Sequence, residues 1–156
     1  MTEKSIIKSM NNRIVLASPF KRHDRMVSNL CWRLGIDVVR IEKCIDLLLE
    51  QLDELRPDYI FFPHWSWKIP DEIHHNYECV IFHMTDLPFG RGGSPLQNLI
   101  VRGIEETKLT ALRCTETLDA GPIYLKSELS LLGSAEEIFI RANSLIEEMI
   151  VKIVSE

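Results

Sequence analysis

Cysteines are few in this chain, and none is spaced as a metal ligand. The four cysteines, Cys31, Cys44, Cys79 and Cys114, lie far apart, and no CxxC or CxxH pair of the kind that binds zinc is present. We therefore expect no metal cofactor. Scattered, unpaired cysteines are also typical of a reducing compartment, so we expect a cytoplasmic protein.

Long apolar runs and clustered positive charge are also missing. No stretch approaches the roughly 18 apolar residues of a membrane span, and the polar start of the chain lacks the apolar core of a signal peptide. The net charge is −5, from 18 lysines and arginines against 23 acidic residues. Because nucleic-acid-binding surfaces usually carry a basic patch, we expect neither a membrane nor a nucleic acid as a partner.

Short apolar runs alternate with amphipathic segments. The runs predict strands at residues 13–18, 37–41, 58–62, 79–83, 108–114 and 122–127. The amphipathic segments predict helices at residues 23–34, 44–55, 94–102 and 134–156. Strands alternating with helices predict an α/β, Rossmann-like fold, with a mainly parallel twisted sheet and flanking helices. The first strand is not followed by GxGxxG, so the dinucleotide-binding fingerprint is absent.

The domain organisation expected from length is simple. At 156 residues the chain is long enough for one domain. We expect residues 1–12 to be a polar lead-in and residues 13–156 to form a single catalytic domain.

The most distinctive residues follow the fourth predicted strand. His83 ends that strand, and a loop with Pro88, Arg91 and three glycines then leads to a helix opened by Ser94 and Pro95. Ligands of parallel sheets bind at the carboxyl ends of the strands, so His83 is a candidate catalytic residue; the alternative is a structural histidine. The loop is either a binding site for an anion or amide, or an ordinary turn before a helix.

A second polar turn, residues 117–122, contains Asp119. A histidine and an aspartate at strand ends are suited to acid–base chemistry, whereas an aspartate beside Gly121 is also common in ordinary turns. His64, Trp65 and Trp67 follow the third strand, and they either pack in the core or line a site for a flat heteroaromatic ligand. The adjacent residues 74 and 75, both histidines, are interpreted as a solvated turn.

These two motifs resemble those of the N10-formyltetrahydrofolate-dependent formyltransferases. That family shows an Asn-x-His pair, a Leu-Pro segment, an Arg-Gly-x-x-Pro loop and a Leu-Asp-x-Gly turn. The matching residues here run from His83 to Pro95 and from Leu118 to Gly121. The resemblance implies a Rossmann-like formyltransferase domain, with N10-formyltetrahydrofolate as co-substrate and an amine as acceptor.

By this resemblance His83 and Asp119 are the catalytic histidine and aspartate. The family's asparagine falls at Ile81, so an apolar side chain replaces an amide donor. Thr85, Asn76, Gln97 or the backbone of Gly92-Gly93 are candidate replacements. The residues expected to bind substrate and folate are Phe62, His64, Trp65, Thr85, Arg91, Gly92, Gly93, Ser94 and Gln97.

The acceptor amine is inferred by analogy. The loop between His83 and Gln97 looks most like that of enzymes acting on nucleotide-linked amino sugars of surface glycans, which is the expected substrate class. A methionyl-tRNA formyltransferase-like enzyme, a formyltetrahydrofolate hydrolase and an inactive folate- or nucleotide-binding domain stay open as alternatives. A homodimer and a missing C-terminal extension also stay open.

Overall fold

The computed structural model describes residues 11–156, so residues 1–10 of the predicted lead-in lie outside the described residues. A six-stranded sheet has the strand order β2-β1-β3-β4-β5-β6. The strands are β1 (Arg13–Ala17), β2 (Asp37–Ile41), β3 (Tyr59–Phe62), β4 (Cys79–His83), β5 (Glu106–Arg113) and β6 (Ile123–Ser130). The helices are α1 (Asp24–Leu34), α2 (Leu49–Leu55), α3 (Asp71–Asn76), α4 (Pro95–Val101) and α5 (Ala135–Ser155). The α/β class and mainly parallel sheet are confirmed, while the division into a lead-in and one domain stays a prediction.

The strands β1 to β4 are parallel. Their continuous apolar runs suit a sheet that is covered on both faces. Helix α1 ends at Gly35, whose φ of 64° is the left-handed conformation that terminates helices. Because β2 lies on one side of β1 and β3 on the other, a crevice is expected between the carboxyl ends of β1 and β3.

The antiparallel strands β5 and β6 complete the sheet. A capping box opens α5, since the Glu137 backbone N–H donates to Ser134 Oγ at 3.2 Å. Helix α5 buries one apolar stripe. This stripe includes Ile138, Ala142, Met149 and Ile153.

The two faces of the sheet bury separate cores. Helices α1 and α5 cover the face that contains Leu16 and Phe61, and α2 and α3 cover the face that contains Phe62 and Ile81. His83 lies two residues beyond Ile81 and therefore faces the second side. Across residues 11–156, none of the helices is both long and apolar enough to cross a membrane.

The helix predicted at residues 44–55 is wrong in its first half. A 3₁₀ turn occupies Cys44–Asp46, and α2 begins only at Leu49. Leu47 and Leu48 between them have non-helical backbone angles, with ψ of 79° and 139°. Leu47 is only 4% exposed, so burial of this side chain overrides the helical spacing.

The interpretation of His74 and His75 as a solvated turn is wrong as a turn and for His74, although His75 is exposed. Both lie in α3, and His74 is only 5% exposed. His74 Nε2 lies 3.2 Å from Asp71 Oδ1, one turn earlier in the same helix. This bond satisfies the buried ring, which explains how a polar side chain is tolerated there.

Candidate active site

His83 and Asp119 meet at the carboxyl edge of the sheet. His83 is the last residue of β4, Asp119 lies between β5 and β6, and His83 Nδ1 is 3.6 Å from Asp119 Oδ2. The two residues are 8% and 9% exposed. Because charges interact more strongly away from water, the carboxylate can orient the imidazole. The geometry therefore suits acid–base chemistry.

The turn that carries Asp119 depends on Gly121. A Cβ atom at Gly121 would lie 1.9 Å from the carbonyl oxygen of Arg113, so a larger residue requires the backbone to move. The Arg113 backbone N–H donates to the carbonyl oxygen of Pro122 at 2.8 Å. This hydrogen bond joins the end of β5 to the residue before β6. Asp119 has a φ of 50°, a left-handed conformation that aspartate adopts more readily than most residues.

The loop after β4 is hydrogen-bonded to the pair. His83 Nε2 lies 2.7 Å from the carbonyl oxygen of Gly90, and the Gly92 backbone N–H donates to Asp119 Oδ2 at 2.9 Å. Since a carbonyl oxygen only accepts, His83 carries its proton on Nε2. The Gly90 oxygen thus marks the position from which the carbonyl oxygen of a substrate could accept a hydrogen bond from His83 Nε2.

Two of the residues expected to bind substrate or folate have buried side chains. Phe62 is 1% exposed and Thr85 is 1% exposed, so neither side chain presents a surface to a ligand. Phe62 belongs to the second core. The Thr85 hydroxyl donates to the carbonyl oxygen of Gly90 at 3.4 Å and helps to hold the loop.

The remaining loop residues lie near the surface around the pair. Arg91, Gly93, Ser94 and Gln97 are exposed, and Gly92 is half-buried. Arg91 forms no ion pair within residues 11–156, which leaves its guanidinium available to an anionic group.

The apolar residue Ile81 packs with the second core on the same face as His83. Asn76, one of the donors considered as a replacement, ends α3 before β4 begins and therefore lies at the opposite edge of the sheet. The Gly92 N–H is already bonded to Asp119. Asn76 is thus ruled out as the replacement donor, whereas Gln97 is exposed close to the loop.

Trp65 and Trp67 form an aromatic corner beyond β3. Their ring centroids are 4.9 Å apart in an edge-to-face arrangement, and Trp65 packs against Phe62 at 5.7 Å. Among the described residues, the Trp65 indole nitrogen is the one buried side-chain polar atom without a hydrogen-bond partner. Buried polar groups are normally satisfied, so this unpaired indole nitrogen is an exception, while the Trp65 ring packs against the second core.

A histidine network not predicted from the sequence lies on the α5 side of the strand ends. Asn143 Oδ1 is 2.8 Å from His64 Nε2 and 3.2 Å from His23 Nε2. The two imidazole rings stack at 5.8 Å, and His23 Nδ1 is hydrogen-bonded to the Ser18 hydroxyl. His64, expected to bind folate, therefore packs toward α5. No local motif links these residues, because they come from three distant segments.

This network makes stability depend on pH. Burial lowers the pKa of His23 from 6.5 to about 4. Above pH 6.5 the His23 ring is neutral in both the folded and the unfolded chain. Between pH 6.5 and 4 the unfolded chain binds a proton at His23, whereas the folded chain does not. We therefore expect the free energy of unfolding to fall by about 2 kcal/mol from pH 7.5 to pH 5 through His23.

Urea titrations at several pH values measure this loss. The variant His23→Gln should lack that share of the pH dependence. His75→Gln, which changes a surface histidine, should keep it. Equal slopes for the unmodified chain and His23→Gln would contradict the assignment.

Other features of the described residues do not compete with this site. Within residues 11–156, no three His, Cys, Asp or Glu side chains are grouped to hold a metal ion. Two surface depressions of the described residues lie beside Asn11 and Arg56. These residues flank the amino ends of β1 and β3, at the edge opposite His83.

Comparison with known proteins agrees with this geometry. The model of the family described as "Formyl transferase" matches residues 41–151. A methionyl-tRNA formyltransferase of a Nitratiruptor species is 32% identical over 106 residues, which cover 67% of this chain and 35% of that protein. The chain thus spans about a third of the length of the curated relatives it matches.

Solved structures show the same fold. The structure of a methionyl-tRNA formyltransferase from Clostridium thermocellum has a TM-score of 0.87 and 43% identity, covering 92% of this chain and 64% of that one. The formyltransferase PseJ from Anoxybacillus kamchatkensis has a TM-score of 0.70 and 17% identity, covering 90% of this chain and 73% of that one. The family model covers more than half of the chain, and its matched region includes His83 and Asp119. The chain therefore belongs to the formyl transferase family.

Proposed function

We propose that this chain transfers a formyl group from N10-formyltetrahydrofolate to a primary amine. The observation that carries the proposal is the buried His83–Asp119 pair, with 3.6 Å between Nδ1 and Oδ2, in a chain of this family. The structure of PseJ contains tetrahydrofolate, which supports the same donor here. The corner formed by Trp65 and Trp67 suits the flat pterin ring, and exposed Arg91 suits an anionic part of either substrate.

The residues of the site have complementary roles in this reaction. As the amine nitrogen bonds to the formyl carbon, His83 Nε2–H donates to the formyl oxygen, where negative charge develops. This bond replaces the one to the Gly90 carbonyl. Asp119 accepts a proton from the attacking amine. The bond between the formyl carbon and N10 then breaks, and the proton that Asp119 accepted from the amine is passed to N10.

The acceptor is proposed from the relatives. The matched sequences named above are methionyl-tRNA formyltransferases, so the α-amino group of methionyl-tRNA is the favoured acceptor, in place of the amino sugar expected from the loop. A nucleotide-linked amino sugar remains the second candidate, because the net charge of −5 disfavours a nucleic-acid surface. We further propose the cytoplasm as the site of the reaction, on the basis of the free thiols.

A product assay tests the function and separates the alternatives. The purified chain is mixed with N10-formyltetrahydrofolate and, separately, methionyl-tRNA or nucleotide-linked 4-amino sugars, and mass spectrometry follows the added formyl group. We expect formylation of methionyl-tRNA and no formate release without an acceptor. Formylation of a sugar alone would support the second candidate, and amine-independent formate would indicate a hydrolase. No product at high protein concentration would contradict the proposal.

A further inference from the structure

His64 occupies an unusual position at the crevice between β1 and β3. It follows β3 directly, and its φ of 53° is left-handed, which costs energy for a residue other than glycine. The strand order places β3 between β1 and β4, so His64 lies between the segment after β1 and the strand that ends in His83. Ligands bind at such crevices in open parallel sheets.

The neighbours of His64 fix its ring and its proton. Phe139 packs edge-on at 5.3 Å and His23 stacks at 5.8 Å. Because Asn143 Oδ1 accepts from His64 Nε2 at 2.8 Å, the proton is on Nε2 and Nδ1 keeps a lone pair. Burial also lowers the pKa of His64, so the ring is neutral at pH 7.

The free nitrogen of His64 is open to a ligand. Nδ1 forms no hydrogen bond within residues 11–156. The one buried side-chain polar atom without a partner in that range is Trp65 Nε1. His64 Nδ1 is therefore accessible to solvent, whereas the rest of the ring packs against its neighbours.

We propose that His64 Nδ1 accepts a hydrogen bond from the acceptor amine and so orients it for attack. This inference rests on the proposed function. A primary amine attacks with its lone pair, and its N–H groups must point at acceptors elsewhere. Asp119 supplies one acceptor and His64 the other. With both N–H groups held, the lone pair is directed at the formyl carbon, which is the kind of alignment that accelerates a reaction between two bound substrates.

Two substitutions separate this role from packing. His64→Asn keeps an acceptor near the position of Nδ1 and tolerates the left-handed backbone, but it loses the bond to Asn143. His64→Gln can place an amide N–H at the position of Nε2 and donate to Asn143, but it has no acceptor at the position of Nδ1. We expect His64→Gln to raise KM for the amine about tenfold, and His64→Asn to raise it less than about threefold. KM for the formyl donor should stay within about twofold in both.

Thermal unfolding and NMR provide readouts that a structural role would not produce. We expect His64→Gln to be the more stable variant and the less active one. In 15N-histidine-labelled protein, the His64 Nδ1 resonance should shift on adding L-methioninamide and not on adding its N-acetyl derivative.

The failure of this inference can be told apart from failure of the proposed function. Turnover by the unmodified chain, with an unchanged amine KM in His64→Gln, would overturn the role of His64 alone. Equal Nδ1 shifts with the free and the acetylated amide would do the same. An absence of turnover with either acceptor class would overturn both proposals.

Discussion

Replacing His83 by alanine is expected to lower kcat for formyl transfer about 10³-fold, the largest effect on activity that the structure predicts. The substitution removes the donor to the formyl oxygen and the group that Asp119 orients 3.6 Å away. Loss of a donor to a developing oxyanion costs about 10² to 10³ in rate, and loss of an acid–base group costs about 10² to 10⁴. Single-turnover assays with saturating formyl donor measure the change in the chemical step.

A surface histidine provides the matched control. His75 lies in α3, and its side chain is 53% exposed, so His75→Ala should retain full activity. Calorimetry with tetrahydrofolate should show that His83→Ala still binds the carrier. A decrease in kcat of less than tenfold for His83→Ala would rule out His83 as the principal donor.

Replacing Gly121 by alanine is expected to cost about 3 kcal/mol of unfolding free energy, at the upper end of overpacking effects. The new Cβ would lie 1.9 Å from the Arg113 carbonyl oxygen and 2.9 Å from its carbon. Both are backbone atoms of β5, so no side-chain rotation relieves the contact. The turn has to shift, and Asp119 shifts with it. We expect kcat to fall about 10²-fold in the fraction that folds.

Gly93→Ala is the control for this substitution. A Cβ at Gly93 has no heavy atom within 4 Å, and no left-handed φ restricts that residue. It should therefore leave stability within about 0.5 kcal/mol. Chemical denaturation of both variants, combined with turnover of each, gives the comparison. A stable, active Gly121→Ala protein would show that the turn does not position Asp119.

The strands and the catalytic candidates were predictable because each depends on a local sequence pattern, namely a short apolar run or a polar residue that interrupts one. The runs at residues 37–41 and 79–83 became strands with the predicted bounds, since a short apolar segment needs burial on both sides of a sheet. His83 and Asp119 stood out because each interrupts such a pattern. The helix at residues 44–55 was predicted too long, because the spacing of its leucines does not reveal that Leu47 turns into the core.

The sequence by itself determined the α/β class and the strand that ends in His83. Two of its short motifs also indicated the formyltransferase family. Only the tertiary structure decided that His83 and Asp119 lie 3.6 Å apart, that Phe62 and Thr85 are buried, and that His64 joins a network through Asn143. The physical reason is that strand formation depends on neighbouring residues, whereas these contacts join residues from distant segments. Their distances are set by sheet order, register and turn geometry, which local patterns do not contain.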